Sequence, residues 1–152
     1  MKKLLSLLAI CIANVCFAQS DREIKTEPFK GAKTIISYYS TSTDSLFSKI
    51  SKDLIVAGYN IAKRDKELLL ITTDDRPIKQ INYNVKLVIN ENKVLTTALY
   101  KSTIGYQIGY VKSEPGVEEL KYTGKAFVTR NAFDQIISFI ESTHPDKIEY
   151  SK

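Results

Sequence analysis

The chain contains a single histidine, His144, and this limits the catalysis that it can perform. A serine hydrolase triad would need this imidazole as its general base. His144 precedes Pro145 at the predicted end of a helix, where a cation interacts favourably with the helix dipole and needs no catalytic role. Serine and aspartate are plentiful, but no Gly-x-Ser-x-Gly motif accompanies them. We therefore predict no catalytic residues.

Two pairs of neighbouring carboxylates, Asp74-Asp75 and Glu118-Glu119, are the other candidates for chemistry. Carboxylates alone suit Ca²⁺ or Mg²⁺ rather than zinc, and two of them facing each other across a cleft can hydrolyse a glycosidic bond. Arg76 follows the first pair directly, and the sequence lacks both the Asp-x-Asp-x-Asp-Gly calcium spacing and the glycine-rich phosphate motifs. We predict no metal and no cofactor, and a small carboxylate-based hydrolase stays an alternative function.

The most unusual local feature is an Ile-Gly-Tyr repeat at residues 104–106 and 108–110. This segment forms either a strand or a structured loop. In extended backbone the isoleucines and tyrosines share one face, and the two glycines leave the other face nearly bare. Tyrosine offers apolar area and one hydrogen bond, which suits recognition, although the rings can equally pack on the core. Tyr106 and Tyr110 are the predicted ligand-binding residues.

Residues 1–18 have the pattern of a secretory signal peptide. Two lysines follow Met1, residues 4–15 are mostly apolar, and Cys16 and Ala18 are the small residues that a signal peptidase reads. We expect cleavage after Ala18 and export to the periplasm of a bacterium or to the extracellular space.

A membrane anchor or a lipid anchor fits this segment less well. A transmembrane helix needs about 20 consecutive apolar residues, whereas this run is shorter and is interrupted by Asn14. A lipoprotein carries a small residue before its lipidated cysteine, but Cys11 follows Ile10 and Cys16 follows Val15. We expect no integral membrane segment after cleavage and no lipidation.

The rest of the chain is predicted to be a flexible lead at residues 19–28 and a single α+β domain at residues 29–152. Both cysteines lie in the signal peptide, so we expect no disulfide in the domain. The net charge of +5 includes the two lysines of the signal peptide, and the other basic residues alternate with acidic ones. Nucleic acid is therefore not an expected partner. The expected partner is an envelope protein, a peptide or a glycan. The sequence does not predict an oligomeric state.

Hydrophobic spacing predicts two helices. Ser42 or Thr43 is expected to cap the first, which ends at Gly58 in the left-handed conformation that glycine adopts easily. Asn131 is expected to cap the second, which ends near His144. The tail beyond it is polar and predicted to fray.

Alternating or β-branched runs predict strands at residues 33–39, 59–63, 67–73, 82–89 and 94–100. Residues 74–77 are predicted to form a loop. The simplest arrangement is a two-layer α+β fold, in which an antiparallel sheet of about four to five strands carries both helices on one face in the order β-α-β-β-β-β-α.

These elements resemble a group of small exported bacterial proteins of unknown function. The resemblance rests on the strand at residues 34–39, the helix ending at Gly58, the Asp-Lys-Glu turn at residues 65–67 and the hairpin at residues 83–100, and it covers residues 29–142. It implies a TBP-like fold, with helices on a curved sheet, and no established activity. It does not imply DNA binding, since function belongs to sites rather than to folds.

The favoured function is a non-catalytic binding or interaction module of the cell envelope, which recognises its partner through the exposed side of the sheet or an edge strand. The carboxylate-based exported hydrolase and a structural or assembly role are the alternatives.

Overall fold

The computed structural model describes residues 23–108, 111–113, 116–124 and 127–152. Within these ranges the chain forms two helices, α1 (Thr43–Val56) and α2 (Val128–Ser142). Its strands are β1 (Ile24–Lys25), β2 (Thr34–Tyr38), β3 (Ile61–Asp65), β4 (Leu70–Thr73), β5 (Arg76–Ile78), β6 (Ile81–Asn90), β7 (Lys93–Ser102), β8 (Tyr106–Ile108), β9 (Val111–Ser113), β10 (Val117–Glu119) and β11 (Lys147–Ser151). Neither helix is long and apolar enough to cross a membrane.

A hairpin of two ten-residue strands, β6 and β7, forms the centre of a nine-stranded antiparallel sheet. Each outer edge of the hairpin pairs with two shorter strands in succession. β4 and β5 pair with β6, and β2 and β10 pair with β7. β3 continues the sheet beyond β4, and β11 and then β1 continue it beyond β2. β8 and β9 form a separate two-stranded ribbon.

The predicted TBP-like layer of four to five strands is wrong, because the sheet has nine strands, seven of them side by side. The additional strands lie where the sequence gives no strand pattern. β5 occupies part of the predicted loop, and β11 occupies the predicted frayed tail. β10 has only exposed side chains. These short strands are held by backbone hydrogen bonds to the existing edges of longer strands, an interaction that leaves no hydrophobic period in the sequence.

The core lies between one face of the sheet and the two helices, which both contact β6. Along β6 the buried residues are Tyr83, Val85, Leu87 and their period-two neighbours, so the helices cover that face alone. The helices contribute the apolar stripes that their spacing predicts. Their buried residues include Leu46, Phe47, Ile50 and Leu54 of α1 and Ala132, Phe133, Ile136, Phe139 and Ile140 of α2.

The helix ends correct the predicted caps. Ser42 precedes α1 but donates its hydroxyl to Ser45 Oγ at 3.0 Å, and Thr43 donates to the carbonyl of Glu91. α2 begins at Val128, so Asn131 lies inside its first turn instead of capping it. Gly58 does follow α1 with a φ of 78°, which is the left-handed conformation predicted for it.

Candidate binding surface

Tyr106 and Tyr110, the predicted ligand-binding residues, are not part of the large sheet. Tyr106 begins β8, and its backbone pairs with Ser113 of β9. Tyr110 lies outside the described residues. Their role in binding stays a prediction.

The two pairs of carboxylates that the hydrolase alternative would use lie apart from each other, although Glu118 and Glu119 both line one concave region of about 310 Å³. Asp75 accepts a hydrogen bond from Asn84 at 2.8 Å at the β6 side of the central hairpin. Glu118 lies on β10 at the β7 side, three strand spacings or about 14 Å away. Glu118 accepts a hydrogen bond from the Tyr100 hydroxyl, while Glu119 pairs with Lys33.

No group of three possible metal ligands comes together among the described residues. His144 follows α2 with a φ of 55°, is exposed, and donates its backbone N–H to the carbonyl of Glu141. The prediction of no catalytic residues rests on sequence motifs and stays a prediction.

The face of the sheet that points away from the helices carries the most continuous surface feature. Side chains alternate across a sheet, so the residues between the buried positions of β6 all point outward. They are Asn82, Asn84, Lys86, Val88 and Asn90. In the described part of the chain neither helix covers this open face.

Four aliphatic residues form a continuous line across the open face. Ile36 of β2 is opposite Leu95 of β7, Leu95 is opposite Val88 of β6, and Val88 is opposite Leu70 of β4. All four are half-buried. We call this line the apolar row. It spans three strand spacings, about 14 Å, which is unusual for a face that contacts water.

Lysines border the apolar row on both sides. Lys93 and Tyr38 occupy the cross-strand position before Leu95, and Lys86 and Thr97 occupy the position after it. Lys101 lies further along the same face of β7. We call Lys86, Lys93 and Lys101 the flanking lysines. Within the described ranges none of the three forms a salt bridge.

Glu149, the acidic residue of this face beside Tyr38, already has a cationic partner and a hydroxyl partner. Glu149 accepts hydrogen bonds from Lys147 at 2.6 Å and from the Tyr38 hydroxyl at 2.6 Å. These bonds hold the pKa of Glu149 below its usual value, Lys147 contributing most, and the bond to Glu149 raises the pKa of Tyr38. The Tyr38 ring lies 5.4 Å from Lys93 Nζ. The face therefore presents an excess of positive charge around an apolar centre.

A shallow depression adjoins the apolar row beside β7, between the first residue of β2 and the last residue of β10. Its volume is about 110 Å³, and its lining includes Thr34, Thr97, Leu99 and Glu119. Leu99 is 42% exposed, which is high for a leucine in the centre of a sheet. An apolar side chain of a partner can enter this depression beside the row.

Two edge strands of the sheet, β3 and β5, are poorly suited to pairing with a further strand. β3, the edge strand next to β4, has a bulge between Ile61 and Lys63 and exposes Lys63 and Arg64. β5 contains Pro77, which has no N–H to donate. Bulges, charges and proline on an edge oppose further strand pairing. Of the two binding modes that the sequence left open, the geometry favours the open face.

Neither a protein-family model nor a curated protein matches the chain. Its function must therefore be argued from the geometry of its own residues. Sequence reasoning identified the exposed side of the sheet but not the apolar row, because Ile36, Leu70 and Leu95 belong to runs that are apolar at consecutive positions. Buried and exposed residues alternate along β6, and the pairing of its neighbours with Val88 assigns these three residues to the open face.

Proposed function

We propose that this chain is an exported, non-catalytic binding module of the cell envelope, and that its open face binds an acidic protein segment carrying apolar side chains. The apolar row is the observation that carries the proposal. Four aligned aliphatic residues on an uncovered face are already ordered by the sheet, so they lose little conformational entropy on binding. They gain hydrophobic free energy when a partner covers them.

Charge supports the identity of the partner. The flanking lysines form no salt bridge among the described residues, so an acidic segment gains charge pairs at the rim of the apolar row. A second copy of the chain would bring like charges together on the same face. Glycan binding commonly uses exposed aromatic rings, and Tyr38, the aromatic residue beside the row, is already occupied by Lys93 and Lys147.

Export is supported by the signal pattern of residues 1–18. Intact mass measured after secretion by a bacterial host tests it, and loss of residues 1–18 is expected. A secreted chain that keeps these residues, or a chain that stays in the cytoplasm, contradicts export.

A peptide library displayed on phage and selected on the purified domain tests the binding function. We expect the enriched sequences to combine Asp or Glu with apolar residues. Their binding should be lost in Leu95→Asn and in Lys86→Glu, since these changes remove part of the apolar row and reverse one flanking charge.

Matched controls exist on α1, where Ile55 is 63% exposed and Lys52 is exposed as well. Ile55→Asn and Lys52→Glu make the same chemical changes away from the open face and should leave binding intact. Enrichment of basic or uncharged peptides, or equal loss of binding in the two sets of variants, would contradict the proposal. A glycan array on the same variants tests the competing ligand class.

A further inference from the structure

A second concave region lies on the other side of the sheet, between the end of α1 and one face of α2. Its volume is about 440 Å³, which suits a small molecule. Ala57, Tyr59 and Arg76 form one wall, and Asn131, Gln135 and Ser138 of α2 contribute to the other. We call it the Arg76 cleft. It does not share any lining residue with the open face.

Arg76 is fixed in this cleft without a carboxylate partner. Its Nη1 donates to the carbonyl of Ala57 at 3.2 Å, and its guanidinium carbon lies 4.5 Å from the centre of the Tyr59 ring. It forms no salt bridge within the described ranges. A guanidinium has five N–H donors, so a single hydrogen bond leaves most of them for a ligand.

Tyr83 connects the strand that carries Arg76 to the opposite wall of the cleft. It is paired with Arg76 across β5 and β6, is fully buried, and donates its hydroxyl to Gln135 Oε1 at 2.9 Å. Because Gln135 Oε1 accepts this bond, the amide nitrogen of Gln135 stays available to donate to a ligand. Both walls of the cleft are thus positioned through one buried phenol.

The polar groups of α2 define the ligand further. Asn131, Asp134, Gln135 and Ser138 recur at helical spacing and face the cleft together. Asp134 is paired with Arg130, with 3.4 Å between its carboxylate and Arg130 Nε. Because Arg130 offsets the charge of Asp134, Arg76 gives the described lining one net positive charge, which favours a ligand with one negative charge over a doubly charged phosphate.

We propose that the Arg76 cleft binds a small molecule that carries a carboxylate, with the carboxylate on the Arg76 guanidinium and a polar body against the amides and hydroxyl of α2. A planar guanidinium matches a carboxylate through two parallel hydrogen bonds. Tyr59 and Phe139 also line the cleft and, being largely buried, offer a small apolar surface to a short hydrocarbon part. This site is independent of binding at the open face.

Nuclear magnetic resonance titration of the ¹⁵N-labelled protein tests the site. The probes are N-acetyl-L-alanine, its uncharged amide N-acetyl-L-alaninamide, and inorganic phosphate. We expect N-acetyl-L-alanine to cause saturable shifts at Asn131, Gln135 and Ser138 and to bind about tenfold or more tightly than either other probe, since only it combines one charge with the planar geometry. Equal binding of the amide, tighter binding of phosphate, or no saturable shift with any probe would overturn the proposal.

Variants separate the cleft from other sites. Arg76→Gln should weaken N-acetyl-L-alanine binding by about tenfold or more, whereas Arg64→Gln should not change it. Arg64 is the matched control because its guanidinium also lies over an aromatic ring, that of Phe47 at 4.9 Å, but outside the cleft. If Arg76→Gln does not fold, Ser138→Leu narrows the cleft at an exposed helix position and should abolish the shifts. Unchanged binding in the folded variant would refute the site.

Discussion

The hydroxyl oxygens of Tyr59 and Tyr83 lie 3.3 Å apart on the helix side of the sheet. Tyr83 donates to Gln135, so the Tyr59 hydroxyl donates to Tyr83. This chain of two hydrogen bonds connects the segment after α1, the central strand β6 and helix α2. It connects the two walls of the Arg76 cleft through β6, the strand that pairs with β5 and so with Arg76.

Tyr83→Phe should destabilise the protein. The change leaves the hydroxyl of buried Tyr59 without its partner, at an expected cost of about 1–2 kcal/mol in the free energy of unfolding. Urea unfolding followed by circular dichroism measures this cost. Tyr100→Phe is the control, because its hydrogen bond to exposed Glu118 is replaced by water at little cost. Equal costs for the two variants would show that the buried link is not formed.

Stability should decrease above pH 10. Burial raises the pKa of Tyr150 to about 12 and also raises the pKa of Tyr83. Below the unfolded pKa of about 10 both phenols are protonated in both states, so this stability is fully present there. Above it the unfolded chain loses protons that the folded chain retains, and the free energy of unfolding falls as pH rises towards 12.

Tyr150→Phe should remove part of that decrease. At pH 11 we expect about 1 kcal/mol less loss in the variant, after allowance for solvent screening. Urea unfolding of both proteins at pH 8 and pH 11 gives the comparison. The same pH dependence in both would mean that the phenol ionises equally in the folded and unfolded states.

Two leucines on neighbouring strands test which face of the sheet is the core. Leu87 is fully buried under the helices, and Leu95 is half-buried in the apolar row. Leu87→Ala should cost about 2–4 kcal/mol through the cavity that it leaves, and Leu95→Ala about 1 kcal/mol or less. Thermal and urea unfolding provide both values. A large cost for Leu95→Ala would mean that the row is covered within the folded chain and is not a free surface.

Binding of the selected acidic peptides should depend on salt. Raising the salt concentration from about 0.1 M to about 1 M shortens the Debye length from about 10 Å to about 3 Å, which screens the flanking lysines. We expect a several-fold loss of affinity, mainly through slower association, as measured by surface plasmon resonance. Lys52→Gln should show the wild-type salt dependence, whereas Lys86→Gln, which removes one flanking charge without reversing it, should bind more weakly and show a weaker salt dependence. Affinity independent of salt would remove the charge argument for an acidic partner.

The Tyr106 and Tyr110 prediction can be measured on the same peptides. If these tyrosines contribute to recognition, Tyr106→Ala/Tyr110→Ala should weaken binding by about tenfold, the effect of losing one aromatic anchor. Calorimetric titration of this double variant and of Leu95→Asn compares the two surfaces. Wild-type affinity in the double variant would reject the role that the repeat suggests.

Local patterns were sufficient for the helices. The stripe of Leu46, Ile50 and Leu54 and the terminal Gly58 are determined by neighbours within a few residues, so the first helix is found close to its predicted place. β10 and β11 depend instead on edges supplied by β7 and β2, and their own sequences are polar or mixed. The prediction of a sheet with only four to five strands is wrong for that reason.

The two candidate sites differ in the same way. Half of the open face was predictable, because the alternation along β6 separates buried from exposed positions. Its apolar row was not, since Ile36, Leu95 and Leu70 become neighbours only through pairing across four strands. The Arg76 cleft combines residues from the end of α1, from β5 and from α2, and no spacing in the sequence connects them.

The position of β11 between β1 and β2 has a consequence for how the protein is made. The Tyr38 and Glu149 side chains that meet there are separated by 111 residues of sequence. During synthesis β2 therefore has one unpaired edge until almost all of the described chain has been produced, and a pairing over that distance forms slowly. The proposal of export therefore carries a further requirement, since a sheet completed so late would have to be protected from aggregation until transport is over.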